Sequence, residues 1–551
     1  MNNVKIVIVG GGTAGVSAAT RARRINEDAE ITIIEMSNYV AYPISALPAF
    51  ICGKIKDKNG IISDYEEKLA NIYKINVIKN SEVTKIDDNE KKVVIKNLKT
   101  NTTSEKSYDK LILANGSKFG VSYKNNCPNF FKITNLDDAI AIRNYIDKTS
   151  ARNITIIGEN YFALILANAF VNSGFIVNII SEENKLFKEL DDEFSFLLKE
   201  EFSRSGTRVF LNTTIDRYIK NENSVIYKLE LSNYSIDTQV VIYCKDLKPN
   251  THLAYQIDIP VGDNGGILVN ENMETKKQDI FAVGSVAESF NLITKENEIS
   301  YFLGNAQFQG RVAGSVAGGV PLEFKGIIGT KFLKFNKLSI GITGLSENTA
   351  KEKGFDISSL TIFNGNYERF ISGSAKIHIK VIIDNKTRKI LGAEICGKGE
   401  GVDKRLDVFA TAIYSSLTVD DLVNLNLCYT PDISTYKDPI NVIGMVAANK
   451  LDGISNSVTL SEINFDEDLL ILDIRTKIEY QKEHLLNSLW IPLDEIRKRI
   501  GEIPKEKIIY IYGHVGLRGY VAERILKGAG FQKVYNINGG ITSIKISENM
   551  K

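Results

Sequence analysis

Val4-Lys5-Ile6-Val7-Ile8-Val9-Gly10-Gly11-Gly12-Thr13-Ala14-Gly15-Val16-Ser17-Ala18-Ala19 reads as a β-branched strand that turns on glycine into a helix. Gly10 permits the tight turn, Gly12 lets the backbone approach a pyrophosphate, and Gly15 lets the helix lie close on the strand. The helix N-terminus then offers amide donors to the phosphates. Three glycines alone also fit a plain glycine-rich turn, so the following strand decides. Ile31 to Ile34 run into Glu35, twenty residues past Gly15, where a carboxylate would accept the hydroxyls of a ribose.

A second turn of the same kind is expected after Asn153-Ile154-Thr155-Ile156-Ile157, and the residues there are Gly158-Glu159-Asn160-Tyr161-Phe162-Ala163. Only the first glycine remains. Asn160 puts a side chain where a pyrophosphate needs bare backbone, and Ala163 adds a methyl group at the helix contact. The strand Phe175 to Ile180 ends in Ser181 where an adenosine-binding acid is expected. These residues predict a second nucleotide fold whose ligand site, marked by Gly158 and Tyr161, is weakened or lost.

The length of 551 residues allows roughly three to five domains. The net charge of +1 and the lack of a long cationic run argue against nucleic acid or an acidic membrane surface as the main partner. No stretch is apolar enough to span a bilayer and no signal-peptide pattern opens the chain, so a cytoplasmic location is expected. Cys52, Cys127, Cys244, Cys396 and Cys428 are scattered, with no C-x-x-C pair and no metal-ligand spacing with the four histidines. No metal site is expected. Buried free thiols are the simplest reading.

Further on, Tyr108-Asp109-Lys110-Leu111-Ile112-Leu113-Ala114-Asn115-Gly116 and Asp279-Ile280-Phe281-Ala282-Val283-Gly284-Ser285-Val286-Ala287-Glu288 suggest that the first nucleotide fold resumes after the second. With Gly304-Asn305-Ala306-Gln307-Phe308-Gln309-Gly310-Arg311 they resemble the pyridine nucleotide-disulfide oxidoreductase superfamily, above all its coenzyme A-disulfide and persulfide reductases with a fused rhodanese domain. The resemblance covers nearly the whole chain. It implies an α/β protein with two Rossmann-like dinucleotide-binding domains of FAD and NAD type, an α+β dimerization domain and a C-terminal α/β rhodanese domain. The expected divisions are 1–150 and 276–325 for FAD, 151–275 for the NAD-like part, 326–453 for dimerization and 457–551 for the rhodanese-like part.

By the same resemblance, FAD is held by Gly10, Gly12, Gly15, Glu35, Asn115, Gly116, Gly284 and Ser285, and NADH or NADPH is the electron donor. Thr20-Arg21-Ala22-Arg23-Arg24 looks like the segment that grips coenzyme A phosphates, with Arg21 and Arg24 as candidates, although a solvated helix face is the simpler alternative. Gly329-Thr330, Thr343-Gly344-Leu345-Ser346-Glu347, Gly401-Val402-Asp403-Lys404-Arg405 and Lys437-Asp438-Pro439-Ile440-Asn441 resemble the dimerization domain and imply a homodimer.

Both reactive sulfur positions of the family are changed. Within Asn38-Tyr39-Val40-Ala41-Tyr42-Pro43-Ile44-Ser45-Ala46-Leu47-Pro48 the thiol position is Ser45, and in Tyr512-Gly513-His514-Val515-Gly516-Leu517-Arg518-Gly519 the sulfane-carrying position is Gly513. Neither residue forms a persulfide. Cys52 is a poor substitute, about 10 Å along a helix axis from Ser45. Of the tyrosines the family contributes across the dimer as acids, Tyr429 matches one, while the other position falls on Phe370 or Ile371. Ser285 stands where the superfamily has an aspartate for a ribityl hydroxyl, a loss of about 1.5–3 kcal/mol. Arg518 and the loop amides are left as an anion cup, or the domain serves only packing or partner contact.

Three readings follow: a flavoprotein of altered activity passing electrons to oxygen or another acceptor, a non-catalytic dimer binding coenzyme A, a nucleotide or a protein, and a true disulfide or persulfide reductase.

Overall fold

The computed structural model describes residues 3–62, 65–119, 127–464 and 468–550. They form two compact units, Met1–Leu186 with Phe202–Ile327, and Phe187–Glu201 with Ile328–Lys551.

The first unit contains the same device twice. One parallel sheet runs Ile280–Ala282, Lys110–Leu113, Lys5–Val9, Glu30–Ile34, Asn76–Ile78. Burial on both faces explains why Ile6, Val7, Ile8 and Val9 form an unbroken apolar run rather than an alternating one. The strand Ile280–Ala282 arrives from far along the chain, as the resumed motif requires. The second parallel sheet runs Arg208–Phe210, Ile176–Ile180, Asn153–Ile157, Val240–Tyr243, Phe130–Lys132. Its edge strand Phe130–Lys132 precedes residue 151, so this sheet begins earlier than the expected division.

Matching hydrogen bonds fix how the two folds correspond. Gly10 N donates to Ile34 O at 2.8 Å and Gly158 N to Ile180 O at 2.9 Å. Ala114 N donates to Val9 O and Cys244 N to Ile157 O, both at 2.8 Å. Gly10 therefore corresponds to Gly158, and Glu35 to Ser181.

In the second unit an antiparallel sheet runs Lys331–Phe335, Leu338–Gly344, Ile390–Lys398, Lys376–Asp384, Ile357–Gly365. Lys380 is almost wholly buried and lies 2.9 Å from Asp191, 3.1 Å from Glu193 and 2.8 Å from Glu347, which ties the 187–201 segment to the sheet. Glu394, opposite Lys380 in the register, is fully buried. Burial first, and Asp191 second, push its carboxyl well above the ordinary range. The C-terminal part is a parallel sheet ordered Ser457–Val458, Val534–Ile537, Ile508–Tyr512, Leu469–Asp473, Leu489–Trp490. Its loop meets the antiparallel sheet where Thr361 N donates to Asn538 Oδ1 at 2.5 Å. Among the described residues no helix is long and apolar enough to cross a membrane.

Candidate functional site

The first glycine turn is built as its residues require. Gly10 has φ +107°, and a Cβ there would lie 2.3 Å from Ala114 O, so no side chain fits. A Cβ on Gly15 would lie 2.0 Å from Gly10 O, which is the close helix contact the motif needs. Gly12 is different: a Cβ there meets nothing within 4 Å. Gly12 is the N-cap of helix Thr13–Ile25, no side chain caps that end, and no acid occupies its first turn. The result is an open anion cradle. Glu35 closes one side, accepting from Gly11 N at 2.7 Å through Oε2 and from Ser37 N at 2.8 Å through Oε1.

Gly284 and Ser285 lie in a single helical turn facing this cradle. Gly284 N donates 2.7 Å to Oε1 of the buried Gln309, and Ser285 Oγ accepts from Ser117 Oγ at 2.8 Å. The Ser285 hydroxyl is thus held by the strand following Gly116. Asn115 donates through Nδ2 to Asn250 O at 2.7 Å, and its buried Oδ1 has no partner.

Ser45 sits exposed in the helical turn Ile44–Ala46, ahead of helix Leu47–Ile51. Cys52 caps the far end of that helix, buried, with Sγ donating to Ala49 O at 3.5 Å. The two are not brought together. Tyr429 and Phe370 are exposed, on segments of the second unit.

Arg21, Arg24 and Arg311 gather their charges. Burial, then Arg311, then Arg24 lower the Arg21 guanidinium from its usual value. Arg21 Nη2 donates 3.4 Å to Ser315 Oγ, while its buried Nε has no partner. Arg24 turns back onto Thr20 O at 3.0 Å. Arg23, by contrast, is buried and spends its donors on Tyr73 O, Lys74 O and Glu27 O, a structural role.

The second glycine turn keeps its frame and fills part of its cradle. Asn160 is the N-cap of helix Tyr161–Val171; its Oδ1 accepts from Ala163 N at 3.0 Å and its Nδ2 donates to Cys244 O. The carboxamide takes an amide that would otherwise serve a phosphate. Tyr161 lies against Phe302, ring centroids 5.3 Å apart.

At the C-terminal loop, a Cβ on Gly513 would meet Arg518 Cβ at 3.1 Å and Gly519 N at 3.4 Å, so a small side chain fits with a slight shift. Arg518, which the sequence leaves either to an anion or to a packing role, is paired: both terminal nitrogens donate to Glu479, at 2.8 and 2.6 Å, and that carboxylate also accepts from Thr476 N and Oγ1 at the start of helix Lys477–Lys482. His514 lies 3.0 Å from Lys376 Nζ, and burial followed by that ammonium lowers its imidazole below the usual value, which keeps it neutral at pH 7.

The Glu479–Arg518 pair has a pH signature. The Arg518 hydrogen bond holds the Glu479 carboxyl at about 2, below its ordinary 4.5. A depressed carboxyl stabilises the fold above its unfolded value and loses that contribution as pH falls from 4.5 toward about 2. Acid unfolding followed by the single tryptophan, Trp490, should therefore be shallower over that window in Glu479→Gln than in the parent. Identical slopes would show that the pair contributes nothing.

With this geometry in hand, comparison with known proteins is decisive. Residues 4–305 match the family described as pyridine nucleotide-disulphide oxidoreductase, 331–438 its dimerisation domain, and 458–547 the rhodanese-like domain. The chain belongs to the pyridine nucleotide-disulphide oxidoreductase family. A coenzyme A disulfide reductase of Staphylococcus aureus is 30% identical over 446 residues, 80% of this chain and 99% of that protein. A CoA-dependent NAD(P)H sulfur oxidoreductase of Pyrococcus furiosus is 30% identical over 453 residues, 81% and 99% of the two chains. The reduced Bacillus anthracis CoADR-RHD structure covers 99% of this chain and 98% of its own at 31% identity, TM-score 0.94. An NAD-dependent persulfide reductase from A. fulgidus covers 98% and 100% at 30% identity, TM-score 0.89.

Pyridine nucleotide-disulphide oxidoreductases bind FAD and NAD(P)H. The first cradle of this member fits FAD: open backbone at Gly12, an uncapped helix, Glu35 fixed at the strand end, and an orphaned Asn115 Oδ1. The second fits a dinucleotide with one phosphate donor fewer. Sequence reasoning missed Ser117, Gln309 and Arg311 as parts of the site. Gln309 and Arg311 stand inside a motif it quoted, but only the packing of two distant helices reveals what they face.

Proposed function

We propose that this chain is a homodimeric, cytoplasmic flavoprotein of the coenzyme A disulfide and persulfide reductase branch in which the thiol relay and sulfur transfer are lost. Electrons arrive slowly from a reduced nicotinamide and leave to oxygen or another acceptor. The observation that carries this reading is the contrast between an open first cradle and a serine in the reactive turn: Gly12 faces free space, while Ser45 offers only a hydroxyl. Bound FAD would supply two-electron redox chemistry. The chain's own part is to hold it, through the uncapped helix start, Glu35 and the Ser117–Ser285 pair.

Ser45 cannot relay the electrons onward. Its alkoxide is too basic to form near neutrality, no described side chain hydrogen-bonds its hydroxyl, and oxygen has no two-electron partner comparable to a disulfide. Cys52 does not replace it, being buried at the other end of the helix. Gly513 likewise leaves the C-terminal loop without a sulfur carrier, and the Glu479 pairing of Arg518 supports a packing or docking role for that domain. Arg21, Arg24 and Arg311 support retention of coenzyme A as a ligand, through its phosphates. The five unpaired cysteines suit a reducing compartment.

A second reading, a non-catalytic dimer that binds coenzyme A, a nucleotide or a protein, is favoured by one observation: Asn160 occupies an amide of the second cradle. One spectrum separates the two. The purified protein should show oxidised flavin absorbance, NADH or NADPH should bleach it slowly under anaerobic conditions, and coenzyme A disulfide should not restore it. Flavin left oxidised by both nucleotides would favour the non-catalytic dimer. Brisk reoxidation by coenzyme A disulfide would establish a working reductase and overturn the proposal.

A further inference from the structure

The correspondence between the two nucleotide folds exposes an exchange of residues. In the first fold the glycine turn carries Gly11 and the strand end carries Glu35; in the second the matching places hold Glu159 and Ser181. The acid has changed sides of the turn. Ser181 reproduces the local bond of its counterpart: Glu35 Oε1 accepts from Ser37 N at 2.8 Å, and Ser181 Oγ accepts from Glu183 N at 3.0 Å. Its hydroxyl proton then goes to Glu159 Oε2 at 2.7 Å. The carboxylate is thereby held at the end of the strand Ile176–Ile180, and its other oxygen has no hydrogen-bond partner among the described residues.

We propose that Glu159 is the specificity-determining residue of the second fold and selects an adenosine ribose with a free 2′-hydroxyl, hence NADH over NADPH. The inference rests on the reading that this fold binds a nicotinamide dinucleotide. A carboxylate accepts hydrogen bonds from a ribose diol, whereas a 2′-phosphate brings only acceptors and about two negative charges. The ammonium on which Glu159 acts is already engaged. Lys245 Nζ is bound to Glu182 at 2.6 Å, and Glu159, Glu182 and Asp246 all act on that one ammonium. Ser181 is a positioning residue, since it acts through Glu159.

The test is calorimetric and needs no turnover. ADP-ribose and its 2′-phosphate are titrated into the full-length, flavin-loaded protein and its Glu159→Gln and Ser181→Ala variants. Each is also measured in an Asn160→Gly background, which restores the bare cradle. ADP-ribose should bind at least about tenfold tighter than the 2′-phosphate, and Glu159→Gln should bring the ratio to within about threefold. Ser181→Ala should lower the ratio by less, because the carboxylate remains. Equal affinity in the parent, or an undiminished ratio in Glu159→Gln, would overturn the assignment while leaving dinucleotide binding intact. Failure of both ligands to bind even with Asn160→Gly would remove the nicotinamide reading and this inference with it.

Discussion

Ser45→Cys is expected to raise the rate of coenzyme A disulfide reduction by roughly a thousandfold or more, set against the roughly millionfold cost of deleting a nucleophile in the best-measured proteases. The substitution exchanges one atom. A thiol at this exposed turn ionises in part near neutrality, attacks the substrate disulfide, and retains one half as a mixed disulfide while the other leaves as thiolate. The serine hydroxyl does neither step. The turn Ile44–Ala46, the helix behind it and the open cradle at Gly12 are already in place. Initial rates with NADH and coenzyme A disulfide, at matched flavin content, make the measurement. If Ser45→Cys holds flavin and gains no rate, the proposed loss of the thiol does not account for the missing activity, and the second tyrosine position, which the resemblance puts at Phe370 or Ile371, becomes the stronger explanation.

That experiment isolates the part of the site that was legible in the sequence. Gly10, Gly12, Gly15 and Glu35 act through backbone geometry over a span of 26 residues, so strand, turn and acid can be read directly from their spacing. Ser45 and Gly513 stand out for the opposite reason, as residue types that the family resemblance does not lead one to expect in their frames. Glu159 was invisible, because one residue before Asn160 it looks like an ordinary loop acid. Its importance comes only from Ser181, 22 residues later, turning its hydroxyl toward it. The partner of Arg518 was hidden in a similar way. Spacing put Arg518 at the anion loop, but Glu479 reaches it from a helix nearly forty residues earlier, and no local pattern reports that pairing. The edge strand Phe130–Lys132 was missed because three residues are too few to show a period.

Arg405 is the position where a single change should cost the second unit most. It lies in the stretch Gly401-Val402-Asp403-Lys404-Arg405, is fully buried, and spends its whole fork: Nε donates to Asp438 Oδ1 at 3.1 Å, Nη1 to Gly401 O at 2.9 Å, and Nη2 to Asn366 O and Asp438 Oδ2, both at 2.9 Å. One side chain therefore joins the start of helix Val402–Tyr414, the turn after strand Ile357–Gly365, and the cap of helix Pro439–Leu451. Arg405→Met keeps much of the volume and removes the charge, which leaves Asp438 buried with only Ser434 Oγ and Ile440 N as partners. Breaking one side of a buried pair costs about 3–5 kcal/mol, and urea unfolding followed by far-UV circular dichroism should show a loss of that size. Arg405→Lys should fall between, since an ammonium keeps the charge but not the fork. The double variant Arg405→Met with Asp438→Leu should recover part of the loss, because no uncompensated carboxylate remains. A loss below about 1 kcal/mol in Arg405→Met, the range of an exposed pair, would mean that water reaches Asp438 and that the fork is not what joins these three elements.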